Sequence, residues 1–139
     1  MSARSSFEYA VIRIVPRVER GECLNVGVVL FCRTRRFLDA RIEPDFARLA
    51  AFAPGLDLGP IQEQLDHMLL ICKGGKGAGP IGLLPQQERF RWLVAPRSTI
   101  IQPSPVHCGI CDDPALALDR LLVSMVLPID QERDPAPRS

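Results

Sequence analysis

The sequence predicts an α+β domain: a three-stranded antiparallel meander plus one later strand, with about four helices packed mainly on one face. Three observations support this class. Two long strand-forming segments open the chain, short turns join the first three predicted strands, and helical periodicity begins only after residue 43. A run of strands followed by a run of helices is typical of α+β proteins and differs from the alternation of α/β folds.

The first three strands are predicted from β-branched and alternating segments. Residues 7–15 are rich in β-branched and aromatic side chains and stop at Pro16. Residues 22–33 form the second strand, whose even positions predict one buried face: Leu24, Val26, Val28 and Leu30. Residues 37–43 alternate apolar and charged side chains after the short turn 33–36. These short connections indicate an antiparallel meander.

Helices are predicted at about 44–53, 60–73, 85–94 and 114–127, and a short strand at about 99–102. Residues 74–82 contain five of the ten glycines and are predicted to form a mobile loop. Residues 1–127 are expected to form a single domain. Residues 128–139 are polar and proline-rich, so we expect them to be a disordered tail.

Composition narrows the function classes. The chain has 139 residues, 47% of them apolar and 24% charged, with a net charge of +1, which is typical of a globular domain. A pI near 7.7 lacks the basic excess of nucleic-acid-binding proteins. No apolar run approaches the roughly 18 to 20 residues of a membrane-spanning helix, and no secretory signal begins the chain. We therefore expect a cytoplasmic protein with neither a membrane nor a nucleic acid as its partner.

The five cysteines are expected to be reduced, because their number is odd and no export signal is present. Their only cluster is Cys108-Gly-Ile-Cys111, preceded by His107. A structural zinc ion needs four ligands, and no second pair is spaced to supply the rest, so we expect no metal and no cofactor. A helix is predicted to start soon after Cys111, so a redox role for this pair stays open.

Polar residues interrupt the apolar rows of the first two strands. Arg13 interrupts the odd positions of the first strand, and Asn25 and Gly27 are poor strand formers in the second. Gly27 is expected to mark a bulge or the close approach of another group. With an ordinary register, Arg13 and Asn25 could share one face with Asp39 and Arg41 and bind an anion or carboxylate. The alternative is a solvated cross-strand ion pair, and the ligand interpretation fails if these donors are occupied by their own chain.

Two blocks of the chain carry a specific pattern. The first runs Tyr9-Ala-Val-Ile-Arg13-Ile-Val-Pro16, Arg20-Gly-Glu22 and Asn25-Val-Gly27-Val-Val-Leu30, and the second runs Arg89-Phe-Arg-Trp-Leu93 and Pro96-Arg-Ser-Thr-Ile-Ile101. A Leu-rich last helix opened by Asp113-Pro114 follows them. Over nearly its whole length, the chain resembles the bacterial family called "domain of unknown function 3037".

This resemblance implies a role rather than an activity, since the family has no established one. Its members resemble partners of HipA-like serine kinases in two-gene arrangements, which implies an accessory or regulatory function. The motif positions that the resemblance assigns to this chain are Arg13, Arg20, Glu22, Asn25, Gly27, Arg97 and Ser98. Of these, Arg13, Asn25 and Gly27 also stand out from the strand pattern.

The leading hypothesis is a non-enzymatic binding module. The hairpin of the first two strands and the loop at Arg97 and Ser98 would hold a protein partner, of the HipA-like kinase type, or a phosphorylated group. The alternative is a small enzyme acting on a phosphate- or nucleic-acid-containing substrate. Its anion clamps would be Arg13, Arg20 and Arg97, and Glu22 would be its general base.

A homodimer is the third hypothesis. Helices on one side of the sheet would leave the other face open, and Val29 and Phe31 are expected to be exposed there. Pairing of two such faces would bury them.

Overall fold

The computed structural model describes residues 4–97 and 99–128. Within them, five strands form one antiparallel sheet. Its strands are β1 (Ser5–Ile14), β2 (Leu24–Cys32), β3 (Phe37–Ile42), β4 (Ile101–Pro103) and β5 (His107–Cys111). The sheet order is β3-β2-β1-β4, and β5 pairs with the first half of β1 beside β4. The predicted meander is confirmed, whereas β5 is an additional strand whose Cys-Gly-rich sequence lacks the usual strand signal.

Within the described residues, the α-helices are α1 (Phe46–Phe52), α2 (Leu58–Lys73), α3 (Gln86–Val94) and α4 (Pro114–Met125). Three of them begin after an aspartate whose carboxylate accepts a hydrogen bond from a first-turn N–H: Asp45, Asp57 and Asp113. These helices and the antiparallel sheet confirm the α+β class. None of the described helices has the length and apolarity needed to cross a membrane. Of the predicted tail, only Pro128 lies within the described residues.

Helices lie on both faces of the sheet. The larger buried cluster joins β1 residues Ala10, Ile12 and Ile14 to apolar side chains of α1, α2 and α3. In the same cluster, Phe31 of β2 stacks on Phe90 of α3 with ring centroids 5.3 Å apart. On the opposite face, Phe7 and Leu30 pack with Leu118 of α4. Three helices therefore share one face, as predicted, and α4 covers part of the face that was expected to be open.

A β-bulge divides the apolar side chains of β2 between the two faces. Ile12 pairs with Gly27, but Arg13 pairs with Asn25, so Val26 is the extra residue. As a result, Val26 lies in the larger cluster and Val28 lies in the cluster with α4. The prediction that all even positions of β2 share one face was wrong, because a shift of one residue reverses the faces.

The bulge also places Val29 and Phe31 in the interior. Their exposed fractions are 1% and 4%, and both belong to the cluster beneath α1, α2 and α3. The expectation that they form an exposed dimer surface was wrong for this reason. A homodimer would have to use another part of the molecule.

Arg89 is buried, although it carries a charge. Its exposed fraction is 9%, and its guanidinium donates hydrogen bonds to the carbonyl oxygens of Ile71 (2.7 Å), Cys72 (2.8 Å) and Leu84 (2.9 Å). Two of these carbonyls belong to the last turn of α2, which has no intrahelical donors for them. Arg89 therefore fixes the end of α2 to the start of α3.

The glycine-rich segment is folded around this arginine. It forms two 3₁₀ turns, Lys76–Ala78 and Pro80–Leu83, and the Gly75 N–H donates to the Gly82 carbonyl at 2.8 Å. Gly74 has a φ of +80°, and a Cβ there would lie 2.9 Å from the Arg89 guanidinium. The segment predicted as a mobile loop is thus a pair of hydrogen-bonded turns at the end of α2.

Candidate functional site

The four polar residues singled out on the first three strands do share one face of the sheet. Arg13 pairs with Asn25 across β1 and β2, and Asp39 and Arg41 lie opposite Leu30 and Val28. Leu30 and Val28 point toward α4, and residues paired across neighbouring strands share a face. The prediction of a common face is confirmed, and it is the face on which α4 lies.

Arg13 and Asn25 direct their donors to their own chain. The Arg13 guanidinium donates to the carbonyl oxygens of Pro103 at 3.0 Å and Gln102 at 3.4 Å, both in β4. The Asn25 amide donates to the Met125 carbonyl at 2.9 Å, at the end of α4. Both residues therefore hold neighbouring elements in place, and the reason for expecting a ligand between them no longer applies.

Arg41 forms the centre of an ion-pair cluster. Its Nη1 lies 2.7 Å from Asp39 Oδ2, and its Nε lies 3.0 Å from Asp119 Oδ1 of α4. Burial opposes its charge, but the two carboxylates outweigh burial, so the pKa of Arg41 is raised. The polar residues of this face thus attach α4 and β4 to the sheet.

The structure explains why residue 27 is a glycine, and the explanation agrees with the predicted bulge and close approach. A Cβ at this position would lie 2.8 Å from the Arg41 carbonyl oxygen and 2.9 Å from Ile42 Cγ1. The predicted bulge and close approach are confirmed, and the approaching group is β3 of the same chain. No room for a ligand is needed to explain this glycine.

Arg20 and Glu22 meet at the hairpin between β1 and β2. The 3₁₀ turn Val18–Arg20 ends at Gly21, whose φ of +70° turns the chain back. Arg20 Nε lies 2.7 Å from Glu22 Oε1, and the two side chains are 60% and 56% exposed. The hydrogen bond and the charge of Arg20 lower the pKa of Glu22, and the same bond raises the pKa of Arg20.

A cavity of about 470 Å³ lies between this hairpin and the connection from α1 to α2. The hairpin contributes Pro16, Arg17, Arg20 and Glu22, and the connection contributes residues 52–56. Within the described residues the Arg17 side chain has no hydrogen-bond or ion-pair partner, whereas Arg20 is oriented by Glu22. Two guanidiniums beside an apolar loop are suited to an anionic group carried on a peptide.

Arg97 lies elsewhere, at the end of α3. Its guanidinium stacks over the Trp92 ring, 4.4 Å from the centroid, and donates to the Trp92 carbonyl. It borders a small cavity of about 200 Å³ together with Glu63 and His67 of α2. Burial lowers its pKa. The adjacent site prediction, Ser98, lies outside the described residues.

The proposed anion clamps of the enzyme hypothesis are therefore separate. Arg20 lines the hairpin cavity, Arg97 lines the small cavity at α3, and Arg13 lines neither. Glu22 borders the hairpin cavity but its side chain is more than half exposed. A general base works best with a pKa near neutrality, and Arg20 shifts Glu22 in the opposite direction.

The side chains of the cysteine pair lie on opposite faces of the strand that contains them. Cys108 and Cys111 are three residues apart in β5, so their side chains point to opposite faces. Burial raises the pKa of Cys111, and the nearby Cys32 thiol adds to this shift. Throughout residues 4–97 and 99–128, no three His, Cys, Asp or Glu side chains are grouped in a way that could hold a metal ion.

The segment 52–56 is the part of the site that sequence reasoning missed, and Arg17 lies in the predicted hairpin without having been named as a binding residue. Pro16 at the end of the first strand and Pro54-Gly55 at the end of the first helix mark two connections. Their spacing does not show that these connections face each other across a cavity. That proximity follows from the path of α1 beneath the sheet.

Comparison with known proteins identifies a family. The family model described as "Protein of unknown function (DUF3037)" matches residues 9–126, which contain both blocks of the resemblance. No curated protein and no solved structure matches the chain.

Proposed function

The chain belongs to the DUF3037 family, and we propose that it is a non-enzymatic binding module that recognises a phosphorylated segment of a protein partner. The ligand-binding surface is the hairpin cavity. The observation that carries this proposal is the pair of guanidiniums, Arg17 and Arg20, at one cavity of about 470 Å³. Arginine recognises phosphate through paired N–H donors, and two guanidiniums together match the double negative charge of a phosphate ester.

The neighbouring residues suit a peptide better than a free anion. Phe52 is 37% exposed and borders the cavity beside Pro54, so an apolar side chain next to the phosphate would find a contact. Glu22 holds Arg20 at 2.7 Å and positions it. The cavity is partly open to solvent, which leaves space for an extended segment.

The resemblance suggests the source of this segment. A HipA-like serine kinase, the implied partner of the family, produces phosphoserine, and a phosphoserine in the kinase itself would present a dianionic group on a protein surface. We therefore propose that the module docks on a phosphorylated kinase. An unphosphorylated acidic segment is the competing ligand.

The direct test is binding of a fluorescein-labelled peptide, Gly-Gly-phosphoserine-Gly-Phe, measured by anisotropy against its unphosphorylated form. We expect Arg17→Gln and Arg20→Gln each to weaken binding of the phosphopeptide by about five-fold or more, since each removes a charged donor. Arg33→Gln is the matched control. Arg33 is an exposed arginine in the turn between β2 and β3, away from the cavity, so affinity should stay within two-fold.

Two results would overturn the proposal. One is equal affinity for the phosphorylated and unphosphorylated peptides. The other is an equal loss of affinity in Arg33→Gln, because that would reflect general charge rather than the hairpin cavity. Circular dichroism should show unchanged folding in all three variants, since the substituted side chains are exposed.

A further inference from the structure

The two edges of the sheet differ in how their backbone groups are satisfied. At the β3 edge, the Glu43 N–H donates to the Val26 carbonyl, so the alternation of an antiparallel pair turns the Ala40 N–H and C=O outward. Asp39 Oδ1 accepts from the Ala40 N–H at 2.8 Å, and Arg41 Nη1 lies 3.5 Å from the Ala40 oxygen. Charged side chains thus block this edge against further pairing.

The β5 edge has no such protection. The Ser104 N–H donates to the Val11 carbonyl, so the odd-numbered residues of β1 bond toward β4 and β5. The same alternation turns the N–H and C=O groups of Cys108 and Ile110 outward. Across the described part of the chain, these groups have no hydrogen-bond partner. Ile110 is 67% exposed, and residues 107–111 include no Asp, Glu, Lys or Arg.

We propose that β5 pairs with β5 of a second copy of this chain, antiparallel and about a two-fold axis at Gly109. In this register all five residues of the strand are paired, and Cys108 of one copy faces Ile110 of the other. Both residues have outward backbone groups, so the pair is a hydrogen-bonded one. The axis falls on the residue without a side chain, where the two strands are closest.

The ends of β5 favour the antiparallel direction. Asp112 follows the strand and is exposed, whereas residues 107–111 include no Asp, Glu, Lys or Arg. In the proposed register Asp112 lies opposite Val106 of the other copy and far from the other Asp112, whereas parallel pairing would oppose the two carboxylates. The outward backbone groups of Cys108 and Ile110 are symmetric about Gly109, so the strand is complementary to a second copy of itself.

Sedimentation equilibrium of the full chain tests the dimer. We expect twice the chain mass of 15.4 kDa at about 50 μM, and a single chain mass for Ile110→Lys, which places a charge in the pairing edge. Val123→Lys is the matched control, because Val123 is an exposed apolar residue of α4, 52% exposed, away from β5. It should remain dimeric. A monomeric wild type, or a dimer that persists in Ile110→Lys, overturns the proposal.

Disulfide trapping tests the register. In a Cys23→Ser background, Ile110→Cys should place a new thiol opposite Cys108 of the second copy, about 5.5 Å between Cα atoms, which a disulfide can span. Diamide, as the oxidant, takes two electrons and two protons from the two thiols, and a covalent dimer should form. Adding Cys108→Ser, or using Val123→Cys instead, should give no such dimer. Failure of Ile110→Cys to cross-link, or equal cross-linking of Val123→Cys, contradicts this pairing.

Discussion

Two groups of arginines in this molecule have contrasting surroundings. In the first group, the guanidiniums donate hydrogen bonds to carbonyls or carboxylates of the same chain; its members are Arg89, Arg13 and Arg41. At the hairpin, Arg17 has no partner within the described residues, and Arg20 has one exposed carboxylate. The two groups differ in the hydrogen-bond acceptors that lie near each guanidinium. Where a helix end or an edge strand offers unpaired carbonyls, arginine completes the fold, and where it faces a cavity it remains available for a ligand.

The internal arginines and Asn25 share a common function in folding. Arg89 donates hydrogen bonds to carbonyls at the end of α2, and Asn25 donates one to a carbonyl at the end of α4. Arg41 reaches Asp119 in the middle of α4. Each joins a helix to another element at a backbone or side-chain group that would otherwise need water. A substitution in this set should change stability, whereas one at the hairpin should change binding.

The largest effect is expected for Arg89→Ala. This change leaves three carbonyls without a charged donor at a nearly buried position, so the free energy of unfolding should fall by about 3 kcal/mol. Urea denaturation measures it. Arg91→Ala, on the exposed side of the same helix, should change stability by about 0.5 kcal/mol or less. Equal losses in the two variants would show that Arg89 does not hold the end of α2.

A smaller effect is expected for Asn25→Ala. It removes one hydrogen bond at the end of α4, so the free energy of unfolding should fall by about 1 kcal/mol. Phosphopeptide affinity should be unchanged, since Asn25 lies outside the hairpin cavity. If affinity were lost while the denaturation midpoint stayed the same, Asn25 would be a ligand-binding residue and the contrast between the two regions would fail.

Much of the fold follows from local sequence signals. The meander, the four helices and the start of the last helix at Asp113 follow from short-range patterns. The division of the β2 side chains between two faces could not be predicted in this way. It depends on a bulge, and Gly27 is the only local signal for that bulge in the sequence. β5 is equally hidden, since its pairing with β1 compensates for a sequence with little strand preference.

The candidate site was less accessible to sequence reasoning. The residues that break the strand pattern, Arg13 and Asn25, can be recognised from the sequence, but their partners are carbonyls of β4 and α4, about 90 and 100 residues away. Sequence spacing carries no information about such distant backbone groups. The charged hairpin that contains Arg17, Arg20 and Glu22 is a candidate from the sequence, and the resemblance adds weight to Arg20 and Glu22. The opposite wall of the cavity, residues 52–56, required the three-dimensional path of the chain after α1.

The smallest effect, and the most specific to the hairpin, is expected for Glu22→Gln. Stability should not change, because both members of the Arg20–Glu22 pair are exposed and such pairs contribute little. The phosphopeptide should bind a few-fold more tightly, because the glutamine oxygen can still accept from Arg20 and position it, while the negative charge that neutralises Arg20 is gone. The gain is small because an exposed charge acts weakly through water.

The same reasoning predicts a pH effect in the wild type. Arg20 lowers the pKa of Glu22, so Glu22 stays charged until the pH falls below the range in which a free glutamate titrates. Any stability from the ion pair is thus present above the ordinary glutamate pKa and is lost as the pH falls through the lowered one. Anisotropy with sulfate-peptide analogues, which keep their charge in acid, should show affinity rising in that range in the wild type and staying level in Glu22→Gln. If the affinity rose equally in both proteins, the rise would come from other carboxylates, and Glu22 would not control binding at this cavity.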